Sequence, residues 1–296
     1  MTKSTLPQRL YKYRAFNVNT LRLLSEAEVY YADPADFNDP LDCSPTIEID
    51  TDRSSLEKLC YKMLLATNGA DTAKRLLNEH RYMSTEYGGD YRVDRQTEEY
   101  YMRMLASRIK GLLHSELGKR GVLSLAEKWD CPLMWSHYAD NHRGLCLEYL
   151  TAENACGEIK AVDYLRPRSI KVSDLIKWKI KQSSDAEKAV LNTFFFAKAP
   201  QWRYEREWRK INQAVGTNSA SFQISAIYFG LRCDASVKTT IVKLHSNSAR
   251  QIKFYGIYPL NDSFRLKRRL VDVDEIEACG LRSSAILDFK NVFIHE

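Results

Sequence analysis

The sequence predicts an α+β fold: a mixed and antiparallel sheet body interrupted by an all-helical insertion. Three observations carry that expectation. Helical periodicity is concentrated between about Asp52 and Gly118, short strand-like runs lie on both sides of it, and most of the helices come early and most of the strands late. The composition is that of a globular chain, 296 residues with 44% apolar and 28% charged side chains, which excludes disorder, collagen and coiled coil as the dominant state.

Arg9 to Arg14 (RLYKYR) alternates aromatic and basic residues at a period of two and reads as a strand. Asn17 or Asn19 caps a helix running to about Glu26, with Leu21 and Leu24 facing inward. Val29 to Ala32 is a second strand, followed by a loop dense in turn formers from Asp33-Pro34 to Asn38-Asp39-Pro40. Leu56, Leu59, Cys60, Met63 and Leu64, then Tyr101, Leu105, Ile109 and Leu112, recur at three and four, with a break at Tyr87-Gly88-Gly89-Asp90.

After Gly121 the pattern is mixed. Strands are expected at Val122–Leu125, Gly144–Tyr149, Glu158–Leu165, Glu205–Gln213, Ser221–Gly230 and Gln251–Pro259, and helices at Pro132 to about Asn141, Asp185–Lys198 and Ala235–Ser246. The organisation that follows is 1–51 as the first part of the body, 52–118 as the helical insertion, 119–270 as the rest of the body and 271–296 as a C-terminal extension.

The seven cysteines have irregular gaps and no C-x-x-C, which signals neither a disulfide framework nor a zinc knuckle. No apolar run approaches the roughly 18–20 residues of a membrane span, and Met1 to Phe16 carries charges where a signal peptide needs an apolar centre. A cytoplasmic chain without a membrane partner is the expectation. The net charge of +6 is concentrated at Lys160, Arg166, Arg168, Lys171, Lys177, Lys179 and Lys181, and at Arg265, Lys267, Arg268 and Arg269. Such clusters suit the phosphates of a nucleotide or a nucleic acid, and equally form solvated faces.

Three constellations hold the residues for chemistry. In Trp202–Arg209 (WRYEREWR), strand alternation places Arg203, Glu205, Glu207 and Arg209 on one face, two carboxylates side by side among guanidinium groups, with Tyr204 and Trp208 on the other. In Pro132–Gly144, helical spacing puts Trp135, Tyr138 and His142 on one stripe and His137 with Asn141 on another, either as core packing or as a stacking wall. The two histidines are five apart, which does not make a helical zinc pair, and no metal is expected. The third is Tyr30 to Pro40, two Asx-Pro turns around Phe37, either a surface turn or a ligand loop near Arg14. Walker, dinucleotide-fingerprint, serine-hydrolase and zincin motifs are absent.

LYKYR at Leu10–Arg14, YADPADFNDPLD at Tyr31–Asp42, MWSHYADNHRG at Met134–Gly144 and WRYEREWR at Trp202–Arg209 together resemble the bacterial and archaeal family known as domain of unknown function two-nine-seven-one, over about Leu10 to Gly230. A second resemblance, in the order of residues, is to the ADP-ribosyltransferase fold. It implies NAD as substrate, with Glu207 binding the nicotinamide ribose and stabilising an oxocarbenium-like transition state, and Glu205 orienting the acceptor. It also implies cofactor contacts from Tyr11, Tyr13, Arg14, Tyr31, Asn38, Asp39, Trp135, His137, Tyr138, His142 and Arg209. The function so implied is an NAD-dependent ADP-ribosyltransferase or NAD hydrolase, a toxin or antiviral defence effector acting on a nucleic-acid or protein acceptor, with an inhibitory partner left open. The alternative is a nucleic-acid-binding or nucleic-acid-cleaving defence protein without NAD chemistry, drawn from the basic clusters.

Overall fold

The computed structural model describes residues 5–85, 95–151, 159–245 and 251–278. In chain order the elements are β1 (Arg9–Arg14), α1 (Val18–Ser25), β2 (Glu28–Tyr31), β3 (Thr46–Glu48), α2 (Arg53–Asn68), α3 (Ala70–Thr85), α4 (Arg95–Leu117), β4 (Gly121–Ala126), α5 (Pro132–Tyr138) and β5 (Leu145–Leu150). There follow β6 (Ile159–Ala161), β7 (Ser169–Lys171), α6 (Val172–Lys179), α7 (Ser184–Phe196), β8 (Glu207–Asn212), β9 (Gly216–Ser219), β10 (Gln223–Phe229), α8 (Ala235–His245), β11 (Lys253–Pro259), β12 (Leu266–Leu270) and α9 (Val273–Ala278). The main sheet is mixed and eight-stranded, ordered β12-β11-β10-β5-β1-β4-β8-β6, and β2 with β9 and β3 with β7 form two small sheets. The fold class is α+β.

The described residues fall into two compact units. The first comprises residues 5–6, those between 29 and 124 and those between 157 and 218. Its core is helical. Along α4 the buried side chains Thr97, Tyr101, Leu105, Ile109, Leu113 and Leu117 recur every four residues, one stripe of an amphipathic helix. From Tyr101 onward they meet Leu56, Leu59 and Leu64 of α2 and Val190, Phe194 and Phe195 of α7 in one cluster. Full burial of each such side chain is worth about 1.5–3 kcal/mol. Asp52 caps α2 by accepting from the Ser55 amide at 3.0 Å, and Gly69, at φ 79°, ends it. The helices of 52–118 thus share their core with α6 and α7. The Tyr87–Asp90 break lies outside the described residues.

The second unit comprises residues 7–28, those between 125 and 156, and those from 219 onward. Here β5 is the central strand, antiparallel to β1 from Arg9↔Leu150 to Arg14↔Leu145 and antiparallel to β10 on its other side. β10 pairs parallel with β11, with Tyr228 opposite Tyr255, and β11 pairs antiparallel with β12. The β5–β10 register shifts between Ile224 and Ala226, a bulge at Ser225.

Several sequence expectations need correction. Leu23, not Leu21, joins Leu24 on the buried face of α1, and Asn17 is its cap, accepting from the Thr20 amide at 2.9 Å. The strand expected over Glu205–Gln213 begins only at Glu207, because Pro200 opens a 3-10 turn through Glu205 and Arg206 sits at φ 45° in the left-handed region. The helix expected to reach Asn141 stops at Tyr138, because Asp140, Asn141 and His142 are all left-handed, at φ 48°, 52° and 69°. The strand placed at Glu158–Leu165 spans only Ile159–Ala161 among the described residues. Among the described residues no helix is long and apolar enough to cross a membrane.

Candidate functional site

The first unit gathers five charged side chains out of water. Glu207 opens β8 and Arg209 follows two residues later on the same face, so the guanidinium is carried alongside the carboxylate. Arg209 Nε donates to Glu207 Oε1 at 2.7 Å and its Nη2 to Oε2 at 2.9 Å. The same guanidinium grips Asp42 through both oxygens, at 2.9 and 2.6 Å, and donates to the Phe195 carbonyl at 2.7 Å. Its planar fork suits two carboxylates at once. Lys198, two residues after α7, places its ammonium against Glu205 and within 2.8 Å of Glu207 and 3.4 Å of Asp42. Glu205 is 3% exposed, Glu207 5% and Arg209 0%, which makes this a dry cluster.

The electrostatics follow from that packing. Burial pushes the Glu207 carboxyl up, but the charges of Arg209 and Lys198 and their hydrogen bonds outweigh it, and its pKa lies well below the usual carboxylate range. Lys198 and Arg209 are moved the opposite way: burial disfavours their charge, Glu207 more than offsets this, and both stay firmly protonated. Three carboxylates face two cations, a formal excess of one negative charge. The Glu207 amide donates to the Tyr164 hydroxyl at 2.9 Å, and burial raises that phenol to about 12. Cys43, beside Asp42 and in the left-handed region at φ 50°, accepts from Arg209 at 3.4 Å, and burial raises its thiol far above the ordinary value. A non-glycine residue held there carries backbone strain.

Of the residues nominated from sequence, Tyr31, Asn38, Asp39, Glu205, Glu207 and Arg209 belong to this unit. Asp39 accepts from Trp202 Nε1 at 2.8 Å and from the Leu41 amide at 2.8 Å, which ties the Asx-Pro loop to the 3-10 turn that ends at Glu205. Tyr31 is buried in β2, and Asn38 is exposed. Arg203, expected on the same face as the two glutamates, is instead exposed on the 3-10 turn, because the turn replaces strand alternation there. Lys198 and Asp42 complete the cluster and were not nominated. Neither carries a spacing pattern of its own: Lys198 stands alone before Ala-Pro, and Asp42 ends the YADPADFNDPLD run.

Tyr11, Tyr13, Arg14, Trp135, His137, Tyr138 and His142 belong to the second unit. Trp135 is wholly buried, edge-on to Tyr13 at 5.2 Å and stacked on His142 at 6.2 Å, its Nε1 donating to the Trp129 carbonyl at 2.7 Å. It is a core side chain. His142 leaves the helical stripe expected for it and lies on the left-handed turn, its Nε2 3.3 Å from Ser136 Oγ; burial lowers its pKa. His137 is exposed and Tyr138 half-buried. Arg14 is half-buried, and burial lowers its pKa. Tyr11 donates to Glu148 Oε2 at 3.1 Å. Among the described residues no group of His, Cys, Asp and Glu side chains is arranged to hold a metal ion.

Glu205, Glu207, Arg209 and the strained 140–142 turn all lie within one continuous stretch. Residues 134–210 match the family described as protein of unknown function, DUF2971. That match takes in MWSHYADNHRG and all of WRYEREWR, while LYKYR and YADPADFNDPLD lie outside it. No curated protein and no solved structure matches the chain. The DUF2971 stretch therefore contributes Lys198, Glu205, Glu207 and Arg209 to the buried cluster, and Asp42 comes from outside it.

Proposed function

We propose that the protein is an NAD-dependent ADP-ribosyltransferase or NAD hydrolase, an effector of toxin or antiviral type working in the cytoplasm on a protein or nucleic-acid acceptor. The observation that carries this reading is the convergence of Glu205, Glu207 and Asp42 on Lys198 in a water-poor cluster with an excess of negative charge. Breaking the bond between ribose C1′ and nicotinamide N1 sends the electron pair out with nicotinamide and leaves positive charge on the ribose. A fixed carboxylate in a low-dielectric setting stabilises that charge far better than it could in water. Glu207, ionised at all physiological pH values, supplies the field. Glu205 accepts the proton that the attacking hydroxyl or water loses as its oxygen bonds to C1′. Lys198 and Arg209 hold the two carboxylates in place, and Asp39 braces the covering turn through Trp202.

The nucleic-acid alternative loses support at the first basic stretch. Lys171 pairs with Glu48, Lys177 with Asp174, Lys179 with Glu116 and Arg166 with Asp163. Those charges are largely balanced on the protein itself. The test is incubation of the purified protein with NAD, with nicotinamide release followed chromatographically and acceptors followed by mass. The proposal expects free nicotinamide, together with ADP-ribose or an adduct carrying it. Intact NAD after prolonged incubation with cell extract as acceptor source contradicts it.

A further inference from the structure

On one face of the second unit's sheet, alternation and register bring together side chains that the NAD reading does not use. Tyr11 lies directly across from Glu148, and Tyr228 lies opposite Tyr255. Arg9, two residues before Tyr11, and Lys253, two before Tyr255, share that face, as does Arg268 of β12. Of these, Arg9, Glu148, Lys253, Tyr255 and Arg268 border a cavity of about 490 Å³, within the 300–1,000 Å³ usual for small-molecule sites.

Glu148 is the fixed point of the site. It is 3% exposed, in a strand otherwise apolar, and accepts hydroxyl hydrogen bonds from Tyr228 at 2.7 Å, Ser225 at 2.7 Å and Tyr11 at 3.1 Å. The bulge at Ser225 is what aims that hydroxyl at the carboxylate. Burial opposes its ionisation, but the Tyr228 and Ser225 hydroxyls, the Arg9 charge and the Tyr11 hydroxyl prevail and keep it an anion.

Both oxygens of Glu148 are thus occupied by protein donors, and its charge serves to hold cations. Arg9 Nε lies 3.6 Å from it and Arg268 Nη1 3.9 Å, longer than the 2.7–2.9 Å of a direct charge-assisted hydrogen bond. Arg268 also donates to the Tyr228 hydroxyl and lies over the Tyr255 ring at 4.5 Å, with Trp129 stacked on Tyr228 at 5.1 Å behind it. An aromatic and hydroxyl bed therefore fixes the guanidinium, while about a third of the side chain faces out. Arg9, Lys253 and Arg268 against Glu148 leave a formal charge of +2 around the cavity. Leu150 and Ile224 supply an apolar stretch of wall.

We propose that this cavity binds a small organic phosphate, a phosphomonoester of a sugar or nucleoside, with Arg9, Lys253 and Arg268 on the phosphate and Leu150, Ile224 and Tyr255 against the carbon skeleton. A phosphomonoester carries about −1.5 to −2 charge at neutral pH, which matches the surplus. Three cations with one orienting carboxylate form a phosphate clamp, and a wall that is partly apolar selects an ester over the bare ion. The inference does not rest on NAD chemistry.

The test is calorimetric titration of the full chain with ribose 5-phosphate, AMP, adenosine and inorganic phosphate. Saturable binding of either ester, at least tenfold tighter than inorganic phosphate and with no binding of adenosine, is the expected result, and the two esters separate a sugar from a nucleoside specificity. Arg268→Met and, because Arg268 is braced by its neighbours, the exposed Lys253→Met each weaken binding tenfold or more, with Lys253→Met keeping the wild-type melting temperature. Absence of ester binding, binding of adenosine as tight as AMP, inorganic phosphate equal to both esters, or affinity untouched by Lys253→Met overturns the proposal. None of these readouts uses NAD, so its outcome is separate from that of the proposed function.

Discussion

Lys198 touches three carboxylates, and that single ammonium explains how Glu205 and Glu207 come to share a site although one ends a 3-10 turn and the other starts a strand. The two glutamates were legible in the sequence as a Glu-x-Glu pair among arginines. Lys198 and Asp42 were not, because Asp42 is brought in from a distant loop and a lone lysine carries no pattern. Glu148 has a signal that is readable in retrospect: a single charge in LCLEYL, where an apolar strand has no use for one unless it is paired.

The depressed pKa of Glu207 sets a pH dependence. In the unfolded chain its carboxyl binds a proton near the ordinary value of about 4.3, whereas in the folded chain it does so only at much lower pH. Its contribution to stability is therefore complete above the ordinary value and is lost as pH falls through that value toward the folded one. Urea midpoints between pH 7 and pH 3 should fall most steeply below about pH 5, and Glu207→Gln should flatten that fall. Equal slopes in the two proteins would mean that Glu207 is not held as an anion by Arg209 and Lys198.

At the scale of elements, the long periodic helices and the central strands were legible because their buried faces repeat over many residues. β3 and β7 were not, being strands of three residues each with no alternation to read. The end of α5 was misplaced for a different reason: helical spacing continues through Asp140–His142, but tertiary packing holds these residues left-handed. The His142 carbonyl accepts from the Arg232 amide at 2.9 Å, and the Gly230 amide donates to the Gly144 carbonyl at 3.0 Å. A Cβ at Gly230 would lie 2.1 Å from the His142 carbonyl oxygen, which is backbone and cannot swing away. Gly230→Ala should therefore cost at least the roughly 1–3 kcal/mol of an overpacked site, read as a lowered urea midpoint. A midpoint equal to wild type would show that the turn is free to relax.

At the scale of the molecule, composition and periodicity led to the α+β class and the eight-stranded sheet agrees with it. The division of residues into two units was not legible, because the chain leaves and re-enters each of them and no linker composition marks the crossings. Net charge was similarly ambiguous. Ion pairs at Arg166, Lys171, Lys177 and Lys179 offset much of the first basic cluster on the protein itself. Single- or double-stranded oligonucleotides should accordingly bind no tighter than the non-specific range of about 10⁻⁴–10⁻⁶ M at physiological salt. Replacing Lys177, Lys179 and Lys181 by Ala should leave the salt dependence unchanged, and a flattened slope would restore the nucleic-acid reading.

The central claim is that the buried carboxylates perform chemistry and do not serve packing alone. Glu207→Gln removes the charge but also loosens Arg209 and Lys198, so a loss of activity has to be separated from a loss of fold. Leu113→Ala provides the comparison, a wholly buried core truncation expected to cost about 2–5 kcal/mol. Nicotinamide release from NAD by wild type, Glu207→Gln and Leu113→Ala, at a temperature where circular dichroism shows all three folded, is the deciding measurement. The account predicts that Leu113→Ala retains the wild-type rate, that Glu207→Gln loses about 10²–10³-fold, as when one transition-state-stabilising group is removed, and that the wild-type rate is flat from pH 5 to 8. No release by the folded wild type, or equal losses in both variants, would contradict it and leave the cluster as a structural ion network.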